Sequence, residues 1–217
     1  MNFVAASILM LNFLLIEGDR VSSLLSTMST VDKISQMAQV VITLILTSDN
    51  EPDLDRIEYY FGQLGVGSLL VVPPANGDYL SAQQYRSIVA TIQDVATTYD
   101  RPPVIVGIDS VHGANYIAGA IMTPQQINLA STWNTSCAEQ AGYLASRDTR
   151  AAGMTWLFSP ILGLGIQPYW ARMYETFGEM KYIMCHLVSS NSSSNLLYIH
   201  SFRGRSSFSR NYGSSNG

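Results

Sequence analysis

Charge is scarce in this chain. Only 13% of its 217 residues are Asp, Glu, Lys or Arg, against the roughly 25% usual for a soluble domain. A charged side chain inside an apolar segment therefore needs a reason to be there. Cysteine is scarcer still, with only Cys137 and Cys185, too few for a disulfide framework or a cysteine zinc site. Long hydrophobic runs are missing too. The longest, residues 3–16, is broken only by Ser7 and Asn12, short of the roughly 18 residues that argue for a membrane span. It has the length of a signal-peptide core but lacks a basic start and a small-x-small cleavage site. A secretory signal, a buried first helix and a misassigned amino terminus stay open, and secretion to the extracellular space is the expected localisation. No glycine-rich phosphate loop follows any strand-like segment, which argues against a generic nucleotide-binding domain.

Positive charge is missing from one part and negative charge from another. Residues 1–180 hold 8 basic and 16 acidic groups, whereas residues 181–217 hold 4 basic and no acidic ones. An acidic body offers no footprint for a nucleic-acid backbone, so no nucleic-acid partner is expected. Neither a metal nor an organic cofactor is expected. Eleven of the last 37 residues are serine, and such a tail buries too little apolar surface to offset its ordering entropy; disorder is expected beyond about Ser189.

What remains is an α/β pattern. Apolar residues from Val21 to Val41 recur at three-and-four spacing, the helical period, with Ser29 and Asp32 placed to cap a break between two helices. A short helix is expected over Leu54 to Leu64, ending at Gly65. Val66 to Val72 and Pro103 to Asp109 read as strands buried on both faces, and Tyr85, Ile88, Val89, Ile92, Val95, Ala96 and Tyr99 as one helical stripe between them. A further helix is expected over Asn134 to Ala152, closed by Gly153, and a third strand over Thr155 to Leu162. Strand, helix, strand at this spacing predicts parallel βαβ units. The connection from Ser110 to Trp133 is long for a βα loop, and it begins with Asp109 and His112, which points to function.

Asp109 closes an apolar strand, where a carboxylate is costly unless solvated or hydrogen-bonded. It is either a turn aspartate bonding its own loop or an acceptor for the hydroxyls of a polyol such as a sugar. His112 could orient that loop or act as a base. Trp170 and Arg172 offer an aromatic face and a fork of donors, suited to a sugar ring; the alternative is a surface pair of Arg172 with Glu175 or Glu179, worth at most about 1 kcal/mol.

Four separated blocks carry a resemblance. They are Leu24-Leu25-Ser26-Thr27-Met28 with Lys33-Ile34-Ser35-Gln36-Met37, Leu64 to Ser68, Gly107-Ile108-Asp109-Ser110-Val111-His112-Gly113 with Ala114-Asn115, and Trp170-Ala171-Arg172-Met173-Tyr174-Glu175-Thr176-Phe177-Gly178-Glu179. In order and spacing they resemble glycoside hydrolase family 3, the β-glucosidase-type enzymes. The resemblance implies the amino-terminal part of a (β/α)8 TIM-type barrel, about its first three βα units, over residues 21–179. Residues 1–20 are then a signal-like or poorly ordered start and 180–217 a divergent tail. It implies a substrate such as a β-glucoside or glucan oligosaccharide, with Asp109 and Arg172 contacting sugar hydroxyls and His112 and Trp170 shaping the pocket.

The departures from the family pattern are at the far end. Met180 follows Glu179 where the family has an Asp-Pro-like step, and His186 and His200 lack the lysine of a Lys-His sugar-binding pair. No carboxylate side chain follows residue 180. A retaining glycosidase needs two carboxyl groups about 5 to 5.5 Å apart, and by the resemblance this chain carries neither, so no catalytic residue is assigned. The expectation is a hydrolase fragment without turnover; the alternative is a non-catalytic sugar-binding fragment or pseudoenzyme.

Overall fold

The computed structural model describes residues 20–74 and 77–179 and the backbone of Leu197–Tyr198. Two compact units are present, one formed by residues 1–78 and 83–107 and the other by residues 79–82 and 108–217.

In the first unit, residues 20–27 are helical (α1) and α2 spans Thr30–Gln36. The break between them is the expected capping box. The Asp32 amide donates to Ser29 Oγ at 3.1 Å, and the Ser29 amide donates to Asp32 Oδ2 at 3.2 Å, so two otherwise orphaned donors are satisfied reciprocally. The helical stripe does not reach Val41. Gln39–Val41 form strand β1, paired in parallel with β2, Ser68–Val71. Periodicity alone cannot separate a three-residue strand from the end of a helix, and here the pairing with Ser68–Leu70 decides it.

The short helix expected over Leu54 to Leu64 begins as α3, Leu54–Ile57, and continues as one π-helical stretch over Glu58–Gln63 before Gly65 at φ +68°. Strand β2 alternates half-buried and buried residues instead of being buried on both faces; Leu69 and Val71 are its fully buried pair. Helix α4, Ala82–Thr98, buries Tyr85, Ile88, Val89, Ile92 and Ala96, most of the expected stripe. Each large apolar member contributes about 1.5 to 3 kcal/mol as an upper bound. Tyr99, the last member, is instead exposed and donates its hydroxyl to Glu58. Strand β3, Ile105–Ile108, follows β2 in the sheet, with the Ile105 amide donating to Gly67 O at 3.0 Å.

In the second unit the long connection after Asp109 is folded. It contains helix α5, Gln126–Ser131, too short to show a helical period in the sequence and expected there as loop. Helix α6, Thr135–Ala151, is capped by Asn134 and ends before Gly153 at φ +83°. The expected third strand shrinks to β4, Trp156–Leu157, whose follower Phe158 donates to Ile108 O at 3.1 Å. The cis Ser159–Pro160 bond closes it. Leu129, Ala130, Ala138, Ala141 and Phe177 form a core between α5, α6 and the segment after β4. The backbone of Leu197–Tyr198 (β5) pairs in parallel with β4. The rest of the serine-rich tail expected to be disordered, and the signal-like residues 3–16, lie outside the described residues. Among the described residues before 180 there are four strands where three were read from the sequence, because β1 was hidden in a helical pattern. Among the described residues no helix is long and apolar enough to cross a membrane.

Candidate functional site

The four site residues read from the sequence all lie in the second unit, on two segments. Asp109 directly follows β3 and is half-buried. Burial pushes its carboxyl above the ordinary carboxylate range, the Arg172 charge pulls it back, and the Glu175 charge pushes it further up. No donor among the described residues hydrogen-bonds this carboxylate. The turn-aspartate alternative, in which Asp109 bonds its own loop, is therefore not what is seen.

The loop is held by other residues. His112 Nδ1 lies 2.7 Å from Thr123 O. A carbonyl only accepts, so Nδ1 carries the proton. The Thr123 amide returns a bond to His112 O at 3.3 Å, and Gly113 bridges Met122 in antiparallel fashion. Gly113 sits at φ +79°, and a Cβ there would lie 2.3 Å from Ile121 O. Close backbone approach in a left-handed conformation requires glycine at this position. His112 thus orients the loop with one nitrogen, and the residue also lines a small, partly open pocket of about 30 Å³ with Gln126, Ser159 and Phe177.

The second segment follows β4. Trp170 is half-buried in a turn, its ring tip so near Gly163 that a Cβ there would come within 2.9 Å. Arg172 is exposed, and its Nε and Nη2 donate to Glu175 Oε2 at 2.7 and 2.6 Å. The surface-pair alternative for Arg172 is therefore real as geometry, yet Glu175 is no surface residue: it is buried, in the 3-10 turn Met173–Glu175. The pair fixes the guanidinium and keeps it charged, while Arg172 still acts electrostatically on Asp109.

Two tyrosines complete this environment and were missed in the sequence. Tyr116 has its hydroxyl pKa raised by burial and by the charges of Asp109, Tyr79 and Glu175. Tyr79 reaches the same region because Ser81 bridges Ala118 in parallel and the Ala118 amide donates to Leu80 O at 2.9 Å. Tyr116 could have been suspected from its place in the loop after Asp109; Tyr79 gave no local signal. Among the described residues no group of His, Cys, Asp and Glu is placed to hold a metal. A half-buried carboxylate without donors among the described residues supplies free acceptor capacity, and a guanidinium and aromatic side chains are near enough to act on it electrostatically.

Comparison with known proteins bears on the family and the fold. The chain is 38% identical over 182 residues to the lysosomal beta glucosidase of Dictyostelium discoideum, covering 80% of this chain and 22% of that protein. It thus spans about a fifth of the length of that curated relative. The fold resembles an exo-1,3/1,4-beta-glucanase from a Pseudoalteromonas species, with a TM-score of 0.66 at 22% identity over 81% of this chain and 21% of that one. It also resembles a glycoside hydrolase family 3 beta-N-acetylglucosaminidase from a Paenibacillus species, with a TM-score of 0.62 at 17% identity over 79% of this chain and 32% of that one. The family model of the glycosyl hydrolase family 3 N-terminal domain matches residues 29–192, and the chain belongs to that family.

Proposed function

We propose that the second unit is the sugar-recognising part of a β-glucosidase-type pocket, in which Asp109 accepts hydrogen bonds from glucosyl hydroxyls and Arg172 donates to them. His112 and Trp170 shape that pocket without reacting. The observation that supports this reading is the half-buried Asp109 carboxylate, which has no hydrogen-bond donor among the described residues and feels the charge of a guanidinium already fixed by Glu175. In longer relatives such a pocket would serve retaining hydrolysis of O-glycosyl bonds and release of terminal β-D-glucosyl residues in carbohydrate catabolism.

The polypeptide of this sequence binds without turning over. Retaining hydrolysis needs two carboxyl groups about 5 to 5.5 Å apart, one as nucleophile and one as acid/base. Of the carboxylates here, Glu175 is held by Arg172, and residues 181–217 supply none. Calorimetric titration with methyl β-D-glucoside, paired with an aryl β-glucoside assay on the same sample, tests both halves. Binding with hydrolysis at background is expected. Absence of binding at high millimolar glucoside would remove the sugar-site reading, and turnover abolished by Asp109→Asn would remove the claim of inactivity.

A secretory route is the localisation we propose, supported by the signal-like residues 3–16 and by the name of the lysosomal relative. Asn134-Thr135-Ser136 is a glycosylation sequon. Asn134 is exposed, and its Oδ1 accepts from the Ser136 amide at 3.0 Å. Translation with microsomes should yield a chain whose glycosidase-sensitive mass increment is reduced by Ser136→Ala; an unmodified or untranslocated chain overturns this route.

A further inference from the structure

Gln126 is a buried polar side chain, 3% exposed, at the start of α5. Both ends of its carboxamide are committed. Nε2 donates to Val111 O at 3.2 Å, and Oε1 accepts from the Ile161 amide at 3.1 Å. Val111 lies two residues after Asp109. Ile161 lies four residues after β4 and bridges Thr176 in parallel, next to the Glu175 that fixes Arg172. One side chain therefore ties the segment carrying Asp109 to the segment carrying Trp170 and Arg172. Glutamine suits this place because a single planar amide offers a donor and an acceptor with no charge to desolvate. The bond to the Ile161 amide is buried, so little water competes with it, and the bond to Val111 O is part-buried.

We propose that Gln126 is a positioning residue for the sugar site, setting the separation of Asp109 and Arg172 without touching the ligand. The proposal rests on the sugar-binding reading above. A polyol recognised from two sides tolerates little error in the spacing of its partners, and a supporting residue that fixes this spacing is felt in affinity as well as in stability. The His112–Thr123 bonds restrain only the first segment, and the Gly165 amide to Gly178 O bond of 2.8 Å only the second. Gln126 acts on both.

The test is calorimetric titration of the full chain with methyl β-D-glucoside for wild type, Gln126→Met, Gln126→Leu, Asp109→Asn and the Gln126→Met/Asp109→Asn double variant, with melting temperatures on the same samples. Gln126→Met keeps length and volume while removing both bonds, and should weaken binding by about tenfold, the low end for loss of a supporting shell. The double variant should bind about as weakly as Asp109→Asn alone, because the spacing that Gln126 sets between Asp109 and Arg172 counts only while the Asp109 carboxylate engages the sugar. Affinity within twofold of wild type in a Gln126→Met protein that only melts earlier would make the residue structural and overturn the proposal, as would losses that multiply in the double variant. If neither Gln126 variant folds, the wild-type carboxamide protons provide the readout: glucoside should slow their exchange with solvent, and unchanged rates overturn the proposal. No glucoside binding by wild type is a different result, which removes the sugar-site reading itself.

Discussion

Asp32 in the first unit and Asp109 in the second are the same residue put to opposite uses. Asp32 accepts from the Ser29 amide and hydroxyl and pairs with Arg101 Nη1 at 2.5 Å. Those bonds hold its carboxyl below the ordinary range, with the Ser29 hydroxyl the largest cause and Arg101 next. Asp109 has an arginine near it too, yet that guanidinium is taken by Glu175, and burial raises the Asp109 carboxyl. A carboxylate that has found its donors within the chain holds structure together. One left half-buried without them keeps its acceptor capacity for something else. Charge is scarce in this sequence, and the difference between the units is where its capacity was left unused.

The largest effect that can sharpen this contrast comes from two glycines, one in each unit. A Cβ on Gly67 would lie 2.3 Å from Gln36 O, and one on Gly113 equally close to Ile121 O, with Gly113 also at φ +79°. Forced backbone shifts together with strain cost on the order of 3 kcal/mol, so Gly67→Ala and Gly113→Ala should both lower the midpoint of urea unfolding strongly. Only Gly113→Ala should also reduce glucoside affinity of the protein that remains folded, because only that glycine seats the Asp109 loop. Equal loss of affinity in both variants would break the division of labour between the units.

Asp109→Asn is next in size. It should weaken glucoside binding by about 1.5 to 3 kcal/mol, the scale of a hydrogen bond to a charged group, without lowering the melting temperature at neutral pH. The sign follows from linkage. Asp109 has a folded-state pKa raised above 3.8, so its contribution favours the fold at low pH and is lost as pH rises through that raised value. Replacing it removes a cost at neutral pH. Asp32 has a folded-state pKa depressed below 3.8, so its contribution is present above 3.8 and lost as pH falls through the depressed value. Melting temperature measured from pH 3 to pH 7 should therefore lose its decline above pH 3.8 in Asp109→Asn and keep its acid-side fall. A variant less stable than wild type at pH 7 would mean that Asp109 is structural after all.

The contrast was legible in the sequence to different depths. Ser29-x-x-Asp32 and the α4 stripe were readable because capping and 3.6-residue periodicity are local. Asp109 and Arg172 stood out because charge after an apolar run is costly, and the family blocks put them in one site. Strand β1 was not readable, since three residues become a strand only when Ser68–Leu70 lie alongside. Gln126 and Tyr79 were also hidden as site neighbours. Their roles depend on Val111 with Ile161 and on the Ser81–Ala118 bridge. Such partners are named only by the tertiary fold.

The smallest effect probes the residue beside Asp109. Ser110 is fully buried, and its Oγ has no hydrogen-bond partner among the described residues. A hydroxyl taken from water without a replacement carries a desolvation penalty, and removing it with its shape nearly kept is neutral or favourable. Ser110→Ala should thus raise stability by up to about 1 kcal/mol and leave glucoside affinity unchanged, as should Thr149→Val on α6, where another buried hydroxyl is unpaired. Thr149 serves as the control because it belongs to a helix and not to the Asp109 loop. If Ser110→Ala weakens binding while Thr149→Val does not, the unused hydroxyl belongs to the pocket, and the capacity kept free at Asp109 extends to its neighbour.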